Sequence, residues 1–472
     1  MFIPSGIRGL EEVIPGLPKQ GLIIVAGNPG TGKTIFSAAF IYSGIVNYGE
    51  KGVYASLAED KETFYQNMKE LGYDFESLEK KGMFKFLNFI TLLEEGASSI
   101  VNEILNVVEV MGAKRLVIDS FSAIAQGFRD PREVRVFLHT FLSRIVKSLG
   151  CTAILIEEIP FGKEEIGYGF EEFVADALLI FKTLEVEGKL VREMRIAKLR
   201  GAAVYNPEIC FTLHGGFKVT PPFKVIESKE TRRYKPLPDP PNGYSTGSPD
   251  LDKAIGGYPK GSTILLEMDP RIQNHHYRLI ARPTAANFLL KGRPVILIPS
   301  AGATWEEFVN DMKLFGVSED EINQLVRIIV AKERVDEQNP PCVVPYEPTN
   351  LEESYRLFLK IEEELVRKSG KPALKIIGMD MIAHYFGEEG AVTLGNLEVS
   401  REKYAGGLSL WFGKPIYPEV VKKAIPLSSM HLKLTRRHGC FLLYGMKPRT
   451  PLYAVEMDVS NGYPLPKLTP MI

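Results

Sequence analysis

The sequence predicts an α/β protein made of two tandem copies of one domain, each with a mainly parallel central sheet sandwiched between helices. Three observations support this fold class. The 472 residues exceed what one ordinary core accommodates. Short β-branched runs alternate with longer amphipathic stretches. The first half of the chain is similar to the second half at a nearly constant spacing, which indicates a duplicated domain.

The predicted strands of the first copy are short apolar runs rich in β-branched residues. They read LIIVAG, GVYASL, RLVIDS, TAILIEE and ALLIFK. Parallel strands need a crossover connection, which is usually a helix, and the stretches between these runs are long enough to supply one. The alternation therefore predicts a mainly parallel sheet covered by helices.

The repeat defines the domain boundaries. Residues 5–21 recur as 245–261, and an apolar strand follows each copy, LIIVAG in the first and TILLEM in the second. Further matches, at one offset, join Phe64, Met68, Lys69 and Gly72 to Phe308, Met312, Lys313 and Gly316. Between the copies, prolines at 236, 238, 240 and 241 exclude a helix or a strand interior. We expect domains at 1–225 and 243–472, joined by a Pro-rich linker at 226–242.

Composition limits the classes of protein. There are 57 Lys and Arg against 58 Asp and Glu, a net charge of −1, which argues against a surface built wholly for nucleic acid. The four cysteines form no CxxC pair, so a disulfide framework is not expected. The first residues lack the features of a signal peptide, and no apolar run reaches the ~18–20 residues of a membrane span. These observations predict a cytoplasmic protein without a membrane span.

A phosphate-binding loop is the strongest motif. GNPGTGKT follows a predicted strand and precedes the apolar stretch TIFSAAFIYSGIV, which is the context that such a loop requires. Its glycines let the backbone turn N–H groups toward phosphate oxygens, and the helix N-terminus adds partial positive charge. Lys33 is expected to contact the β- and γ-phosphates of ATP, and the Thr34 hydroxyl to ligate Mg²⁺. The candidate ATP-binding residues are Gly27, Asn28, Pro29, Gly30, Thr31, Gly32, Lys33 and Thr34.

Asp119 is the second candidate ligand of Mg²⁺. It ends the apolar run RLVIDS, and an acid at the tip of such a strand holds the metal, usually through water. An apolar strand that ends in Asp is common. The same feature after a phosphate loop, at this distance, is specific.

Four motifs together resemble the KaiC family of RecA-type ATPases. They are GVYASLAED at 52–60, IDS at 118–120, YGFEEFVAD at 168–176 and AKLRG at 197–201. The resemblance covers essentially the whole chain, because KaiC-like proteins also carry two tandem copies. It implies two tandem RecA-like P-loop domains, ATP and Mg²⁺ as ligands, and a ring, most often a hexamer, with ATP sites at the subunit boundaries.

The resemblance also assigns roles to acids and bases of the first copy. In the family two adjacent glutamates follow the second strand and act on the attacking water; here these positions read Ala58 and Glu59. Glu59 is the candidate base, with a solvated acid at a helix start as the alternative. Glu158 matches a glutamate of the γ-phosphate sensing strand, and Glu157 departs from the usual hydroxyl residue. Surface acids at a strand end would explain both equally well.

Lys198 and Arg200 are the candidate finger residues. They lie two apart on a predicted strand, so both are expected on one face. In the family this pair reaches the γ-phosphate bound by the neighbouring subunit. A solvated strand face is the alternative for a basic pair of this kind.

The second copy has lost its phosphate loop. The facing segment reads EMDPRIQNHHYR, residues 267–278, without glycine or lysine. Asp380 in KIIGMD is predicted at the position of Asp119, and Lys447-Pro448-Arg449 resembles the Lys198–Arg200 pair. His275 and His276 are adjacent, but no third metal ligand is evident. A basic run at 232–235 fits a solvated linker better than a nucleic-acid contact.

The function that these features predict is ATP binding with slow Mg²⁺-dependent hydrolysis, coupled to assembly or to a protein partner. Ala58 favours an alternative, a nucleotide-gated binding module that scarcely turns over. A DNA-acting recombinase relative is a further alternative, and it needs basic DNA-facing loops that the sequence does not identify. Autokinase activity is disfavoured, because in the family it belongs to the second copy.

Overall fold

The computed structural model describes residues 1–472 except 90–96, 126–130, 142–145, 163–170, 229 and 336–338. The chain divides into two compact units. Unit 1 comprises Met1–Pro221 with the short segments His438–Cys440 and Pro470–Ile472, and unit 2 comprises Pro222–Arg437 and Phe441–Thr469. Among the described residues, no helix is both long and apolar enough to cross a membrane.

Unit 1 contains the strands and helices of the first copy. Its strands are β1 (Phe2–Ile3), β2 (Leu17–Pro18), β3 (Leu22–Gly27), β4 (Gly52–Ser56), β5 (Phe84–Asn88), β6 (Arg115–Asp119), β7 (Thr152–Glu158), β8 (Ala177–Val186), β9 (Lys189–Leu199), β10 (Glu208–Thr212) and β11 (Lys218–Thr220). Its helices are α1 (Lys33–Tyr48), α2 (Lys61–Glu70), α3 (Phe75–Lys80), α4 (Ala97–Met111), α5 (Phe121–Ala125), α6 (Pro131–Phe141) and α7 (Glu171–Val174).

The elements from residue 222 onward form the second copy. The strands are β12 (Gly243–Tyr244), β13 (Tyr258–Pro259), β14 (Ser262–Met268), β15 (Val295–Ile298), β16 (Val326–Ala331), β17 (Val343–Tyr346), β18 (Leu374–Gly378), β19 (Leu408–Gly413), β20 (Met430–Arg437), β21 (Cys440–Lys447), β22 (Tyr453–Asp458) and β23 (Leu465–Pro470). The helices are α8 (Pro249–Ile255), α9 (Asn274–Leu289), α10 (Trp305–Leu314), α11 (Glu319–Leu325), α12 (Leu351–Ser369), α13 (Met379–Ala405) and α14 (Pro418–Leu427).

Read from opposite edges, the two large sheets have the same strand order, except that unit 2 has one additional edge strand, β17. The sheet of unit 1 runs β11-β10-β9-β8-β3-β7-β6-β4-β5, and that of unit 2 runs β17-β16-β15-β18-β19-β14-β20-β21-β22-β23. The strand that leads to the phosphate loop, β3, is parallel to β7 and β8, as β14 is parallel to β19 and β20. The prediction of an α/β fold with two mainly parallel sheets flanked by helices is confirmed.

Both faces of the parallel strands are buried, which explains their continuous apolar runs. In β3, Ile23 and Val25 pack with α1, while Leu22 joins the core under α4 and α6. The site elements are therefore fixed from both sides. The carboxyl ends of β3, β4, β6 and β7 open at one edge, where α/β sheets bind their ligands.

The segment that the sequence assigns to a linker, 226–242, contains no helix or strand in its described part and belongs to unit 2. Tyr234 is buried, and its hydroxyl donates to the Gly247 carbonyl at 2.8 Å. Arg233 forms an ion pair with Glu321 at 2.6 Å. The prolines exclude regular structure, yet the segment packs on the second copy.

Candidate functional site

The phosphate loop connects the end of β3 to the start of α1. Gly30 has a φ of 75° and Gly32 a φ of 100°, both in the left-handed region that side chains disfavour. Helix α1 begins after Gly32 without a hydrogen bond from a side-chain cap. Its first N–H groups therefore face the loop, where an anion can accept them.

Lys33 begins α1 and is buried at 6% exposure. Its Nζ donates to the carbonyls of Gly27 and Asn28, each at 2.9 Å. An ammonium has three donors, so one proton is left for a ligand. Burial lowers the pKa of Lys33, and the charges of Glu158 and Asp119 oppose that shift. A buried cation of this kind favours an anionic ligand that restores its charge balance.

Thr34 and Asp119 meet beside the loop. The Thr34 hydroxyl donates to Asp119 Oδ2 at 2.7 Å, and the Tyr54 hydroxyl donates to the same oxygen at 2.7 Å. Burial raises the pKa of the Asp119 carboxyl, while these two hydrogen bonds and the Lys33 charge lower it. The Thr34 oxygen keeps its lone pairs while it donates, so the pair offers two oxygen ligands to a hard cation.

Glu59 lies in the turn between β4 and α2. Its Oε1 accepts a hydrogen bond from Asn67 Nδ2 at 2.6 Å, and its backbone is held by Ser56. Burial raises the pKa of Glu59, Asn67 lowers it, and the nearby charges of Asp119 and Asp60 raise it further. Asp60 caps α2 by accepting from Thr63 N at 2.9 Å, so Glu59 lies outside that helix.

Glu158 ends β7 directly beside Gly27 in the sheet register. Its side chain is exposed, and its backbone N–H donates to Ser122 Oγ at 2.8 Å. The same Ser122 hydroxyl donates to Oε2 of the buried Glu157 at 2.9 Å. The two neighbouring acids therefore have different settings, and Glu158 is the one on the exposed edge near Lys33.

Lys198 and Arg200 end up in different geometries. Strand β9 ends at Leu199, so Lys198 lies on the strand and Arg200 opens the turn that follows. Lys198 Nζ donates to the Phe173 carbonyl at 3.4 Å, and Arg200 Nη1 bonds Asp176 Oδ1 at 2.8 Å. The expectation that both side chains lie on one face of a strand requires a strand that includes Arg200, and β9 ends one residue before it.

Arg192 is a residue of the loop region that sequence reasoning missed. It lies on β9, six residues before Lys198, and its Nη1 donates to the Gly30 carbonyl at 2.7 Å. Burial lowers the pKa of its guanidinium. No local signal marks it, because a strand reaches the loop only through the pairing of β9 with β8 and of β8 with β3.

The corresponding loop of unit 2 is closed by its own side chains. Residues 269–273 join β14 to α9 and match 28–32 in length. Asp269 accepts from Arg271 Nε and Nη2, each at 2.7 Å. The ring Nδ1 of His276 accepts from the Gln273 N–H at the start of α9, at 3.1 Å. Substitution, not deletion, has removed the phosphate loop.

The prediction that Asp380 stands at the position of Asp119 is wrong. Strand β6 ends on Asp119, whereas β18 ends on Gly378 and Asp380 is the second residue of α13. Its carboxylate accepts from Ser300 Oγ at 2.6 Å and lies 3.7 Å from Lys414 Nζ. The sequence KIIGMD resembles RLVIDS, but its Asp lies two residues beyond the end of the strand, because α13 begins directly after β18.

Other parts of the unit 2 counterpart can be compared directly. Lys447 ends β21 and donates to the Ser428 carbonyl at 2.9 Å, much as Lys198 donates to Phe173. The rings of His275 and His276 lie 4.1 Å apart, and burial lowers the pKa of both. In the YGFEEFVAD motif, Tyr168, Gly169 and Phe170 lie outside the described residues.

Comparison with known proteins identifies the family. The family described as "ATPase: KaiC" matches residues 3–222. A UPF0273 protein of Methanocaldococcus jannaschii is 31% identical over 216 residues, which are 43% of this chain and 88% of that protein. The chain belongs to the KaiC-like family of ATPases. Unit 1 is thus a nucleotide-binding ATPase domain of the KaiC-like type.

Two further relatives carry the family name. The circadian clock protein KaiC2 of Synechocystis is 29% identical over 274 residues, which are 56% of this chain and 46% of that protein. A crystal structure of a KaiC-like protein from Pyrococcus horikoshii is 34% identical and covers 47% of this chain and 99% of that one, with a TM-score of 0.42. The family is therefore represented by proteins of different lengths.

Proposed function

We propose that unit 1 binds ATP with Mg²⁺ and hydrolyses it slowly, coupled to assembly or to a protein partner. The observation that carries the proposal is a glycine-rich loop with a buried lysine at its end, beside the Thr34–Asp119 hydrogen bond of 2.7 Å. Loop N–H groups and Lys33 suit the phosphates, and two oxygen ligands suit Mg²⁺. When bound, Mg²⁺ neutralises charge on the phosphates.

The fit to a triphosphate rests on features of the loop itself. Gly30 and Gly32 hold backbone angles that turn N–H groups inward, and α1 begins without a side-chain cap. In the corresponding loop of unit 2, Arg271 is already paired with Asp269, and Asn274 stands at the position of Lys33. Lys33 keeps one ammonium proton for a ligand in unit 1, whereas the Arg271 guanidinium of the unit 2 loop is bound to Asp269.

The side chains of unit 1 have different proposed roles in binding and hydrolysis. Lys33 holds phosphate, and Thr34 and Asp119 hold the metal. Glu59 is the proposed base for the attacking water, since burial raises its pKa toward the range useful to a base, and Asn67 fixes its direction. Glu158 is second in line. One carboxylate in place of the usual two is the reason that we propose slow turnover.

Completion of the site by a neighbouring subunit in a hexameric ring belongs to the same proposal. Arg200 is 61% exposed, and its ion pair with Asp176 is a surface pair. Such pairs are worth only about 0–1 kcal/mol, so a γ-phosphate can replace the carboxylate at small cost. Lys198 lies at the same end of the sheet.

For the second copy, we propose a degenerate domain at 243–472 that binds no nucleotide and serves as an assembly or partner-binding tier, attached to the ATPase domain 1–225 through 226–242. It retains the strand order of the first copy. It lacks the glycines and the lysine of a phosphate loop. In addition, the negative charge of Asp269 would repel phosphate.

The second candidate function is a nucleotide-gated binding module with negligible turnover. The observation that favours it is Ala58, an exposed methyl where the family has a carboxylate. Both functions require ATP binding, so they differ only in the rate of hydrolysis.

Steady-state hydrolysis by four proteins tests the proposal. Lys33→Ala is expected to lose turnover and ATP binding. Glu59→Gln is expected to lower turnover about 10²-fold or more, because general-base catalysis is worth roughly 10²–10⁴. Ala58→Glu is expected to raise it. Near-wild-type turnover in Lys33→Ala would refute the site, and unchanged turnover in Glu59→Gln would move the base to Glu158.

A further inference from the structure

The Tyr54 hydroxyl forms a hydrogen bond with Asp119 that core packing alone does not explain. Tyr54 lies on β4, is 1% exposed, and stands opposite Val117 in the parallel register of β4 and β6. Two residues farther along each strand, Ser56 stands opposite Asp119. The Tyr54 side chain therefore emerges one step below Asp119 on the same face, and its hydroxyl reaches Oδ2 at 2.7 Å.

The Asp119 carboxylate has an asymmetric set of partners. Among the described residues, both side-chain hydrogen bonds fall on Oδ2, one from Thr34 and one from Tyr54. Two donors on one oxygen fix the plane of the carboxylate and leave Oδ1 to face a ligand. The two donors differ, because Thr34 is half-buried at the loop whereas Tyr54 is enclosed in the core.

Packing explains the ring of Tyr54 but not its hydroxyl. The ring lies 4.6 Å from Phe64 and stacks at 5.9 Å on Phe86, within an aromatic cluster. A phenylalanine would fill this space equally well. A buried hydroxyl is unfavourable unless it is hydrogen-bonded, and the Tyr54 hydroxyl meets this need by donating to Asp119.

Unit 2 provides an internal comparison. Leu297 stands opposite Ile376 on β15 and β18, as Tyr54 stands opposite Val117. Strand β18 then ends on Gly378, with no acid at the strand end. The copy that lacks the acid also lacks the hydroxyl that would hold it.

We propose that Tyr54 is a positioning residue for the metal site: its hydroxyl holds the Asp119 carboxylate in the orientation that binds the Mg²⁺–ATP complex. This inference rests on the proposed function of unit 1. Because Tyr54 is enclosed in the core, it would act through Asp119 and not by contact with nucleotide or metal. Its effect belongs to metal-dependent binding and not to the binding of ATP alone.

The test measures binding of Mn²⁺, by electron paramagnetic resonance, and of a fluorescent ATP analogue with and without Mg²⁺. Tyr54→Phe is expected to weaken metal binding about 10-fold, as expected for a lost hydrogen bond to a charged group, and to leave metal-free nucleotide affinity unchanged. Tyr65→Phe is the matched control, since its hydroxyl bonds Glu79 at 2.8 Å, outside the site, and it should match wild type.

A double-mutant cycle separates positioning from a general loss of stability. In an Asp119→Asn background, Tyr54→Phe should have no further effect on metal affinity. An equal loss of metal affinity in both backgrounds would overturn the assignment of Tyr54, and so would a Tyr54→Phe metal affinity within twofold of wild type. In either case, ATP binding at the wild-type level would leave the proposed function intact. ATP bound equally by wild type and Lys33→Ala would overturn both.

Discussion

At the scale of single residues, Glu402 of unit 2 is expected to make stability depend on pH. It is fully buried with Glu362 and Glu398 around Lys375, at Nζ distances of 2.6 to 3.1 Å. Arg401 adds a second positive charge on Glu362 at 2.6 Å. Three carboxylates thus face two cations. Burial raises the pKa of Glu402 to about 7, and the neighbouring carboxylates raise it too, although Lys375 opposes the shift.

The raised pKa predicts a stability that falls with increasing pH. Folded Glu402 binds its proton up to about pH 7, whereas the ordinary value is 4.5. The stability gained from protonation is complete below pH 4.5 and is lost as pH rises through 7. Glu402→Gln should remove this loss, which amounts to at most about 3 kcal/mol.

Hydrogen exchange of α13 peptides, corrected for intrinsic rates, measures the effect. Wild type should lose protection between pH 4.5 and 7, and Glu402→Gln should not. Glu352→Gln is the control, because that carboxylate is 76% exposed on α12. The titrating and charged groups that face Glu402 and its cluster are Lys375, Glu362, Glu398, Arg401 and Tyr355. If the protection of α13 depended on pH equally in Glu402→Gln and Glu352→Gln, Glu402 would not be the source of the pH dependence.

Among elements, helix α1 and strand β6 are joined by one buried arginine. Arg115 begins β6 and donates to the carbonyls of Phe40, Pro4 and Ser5 at 2.6 to 3.1 Å, and to Glu50 at 2.6 Å. This junction links α1, which carries Lys33, to β6, which carries Asp119, in addition to the Thr34–Asp119 hydrogen bond between the same two elements.

Gly44 makes that junction possible. It lies in α1, and a Cβ added there would overlap Nε and Cδ of Arg115. We expect Gly44→Ala to lower the free energy of unfolding of unit 1 by about 1–3 kcal/mol, because overpacking outweighs the gain in helix propensity. Chemical denaturation followed by exchange in unit 1 peptides measures this. Val46→Ala, at a 55% exposed position of α1, should change it little. Equal stabilities would contradict the close contact.

Local sequence predicted the parallel strands well. The runs LIIVAG and TAILIEE coincide with β3 and β7, and RLVIDS gives β6, because continuous burial on both faces leaves an apolar signal. The antiparallel strands β9 to β11 carry a mixed pattern that gives no such signal. Of the site, the loop and Asp119 could be predicted because each is set by residues adjacent in sequence.

Side-chain partnerships across elements could not be predicted. The Tyr54–Asp119 bond depends on the register of β4 against β6, and the Arg192 bond to Gly30 depends on the pairing of three strands. The position of Asp380 depends on where β18 gives way to α13. Each of these features depends on residues that are distant in sequence, so the sequence around each residue does not predict it.

For the whole molecule, the proposal that a neighbouring subunit completes each site predicts complementation between two inactive variants. Lys33→Ala and Arg200→Ala proteins each lack one side of every site. In mixed rings some boundaries join an intact phosphate loop to an intact arginine, so mixing should restore part of the ATPase activity.

Subunit exchange in this experiment is followed by energy transfer between labelled chains. As control, Lys33→Ala is mixed with a Lys33→Ala/Arg200→Ala double variant, in which no boundary has an intact loop. Exchange without recovery in the first mixture would show that Arg200 does not act on a neighbouring site.

We propose above that only the first of the two copies binds nucleotide. Isothermal titration calorimetry of the full chain with a non-hydrolysed ATP analogue and Mg²⁺ tests it directly. We expect one nucleotide per chain, lost in Lys33→Ala and retained in Asn274→Ala, where α9 begins at the corresponding position. Two nucleotides per chain, or one that survives Lys33→Ala, would contradict it.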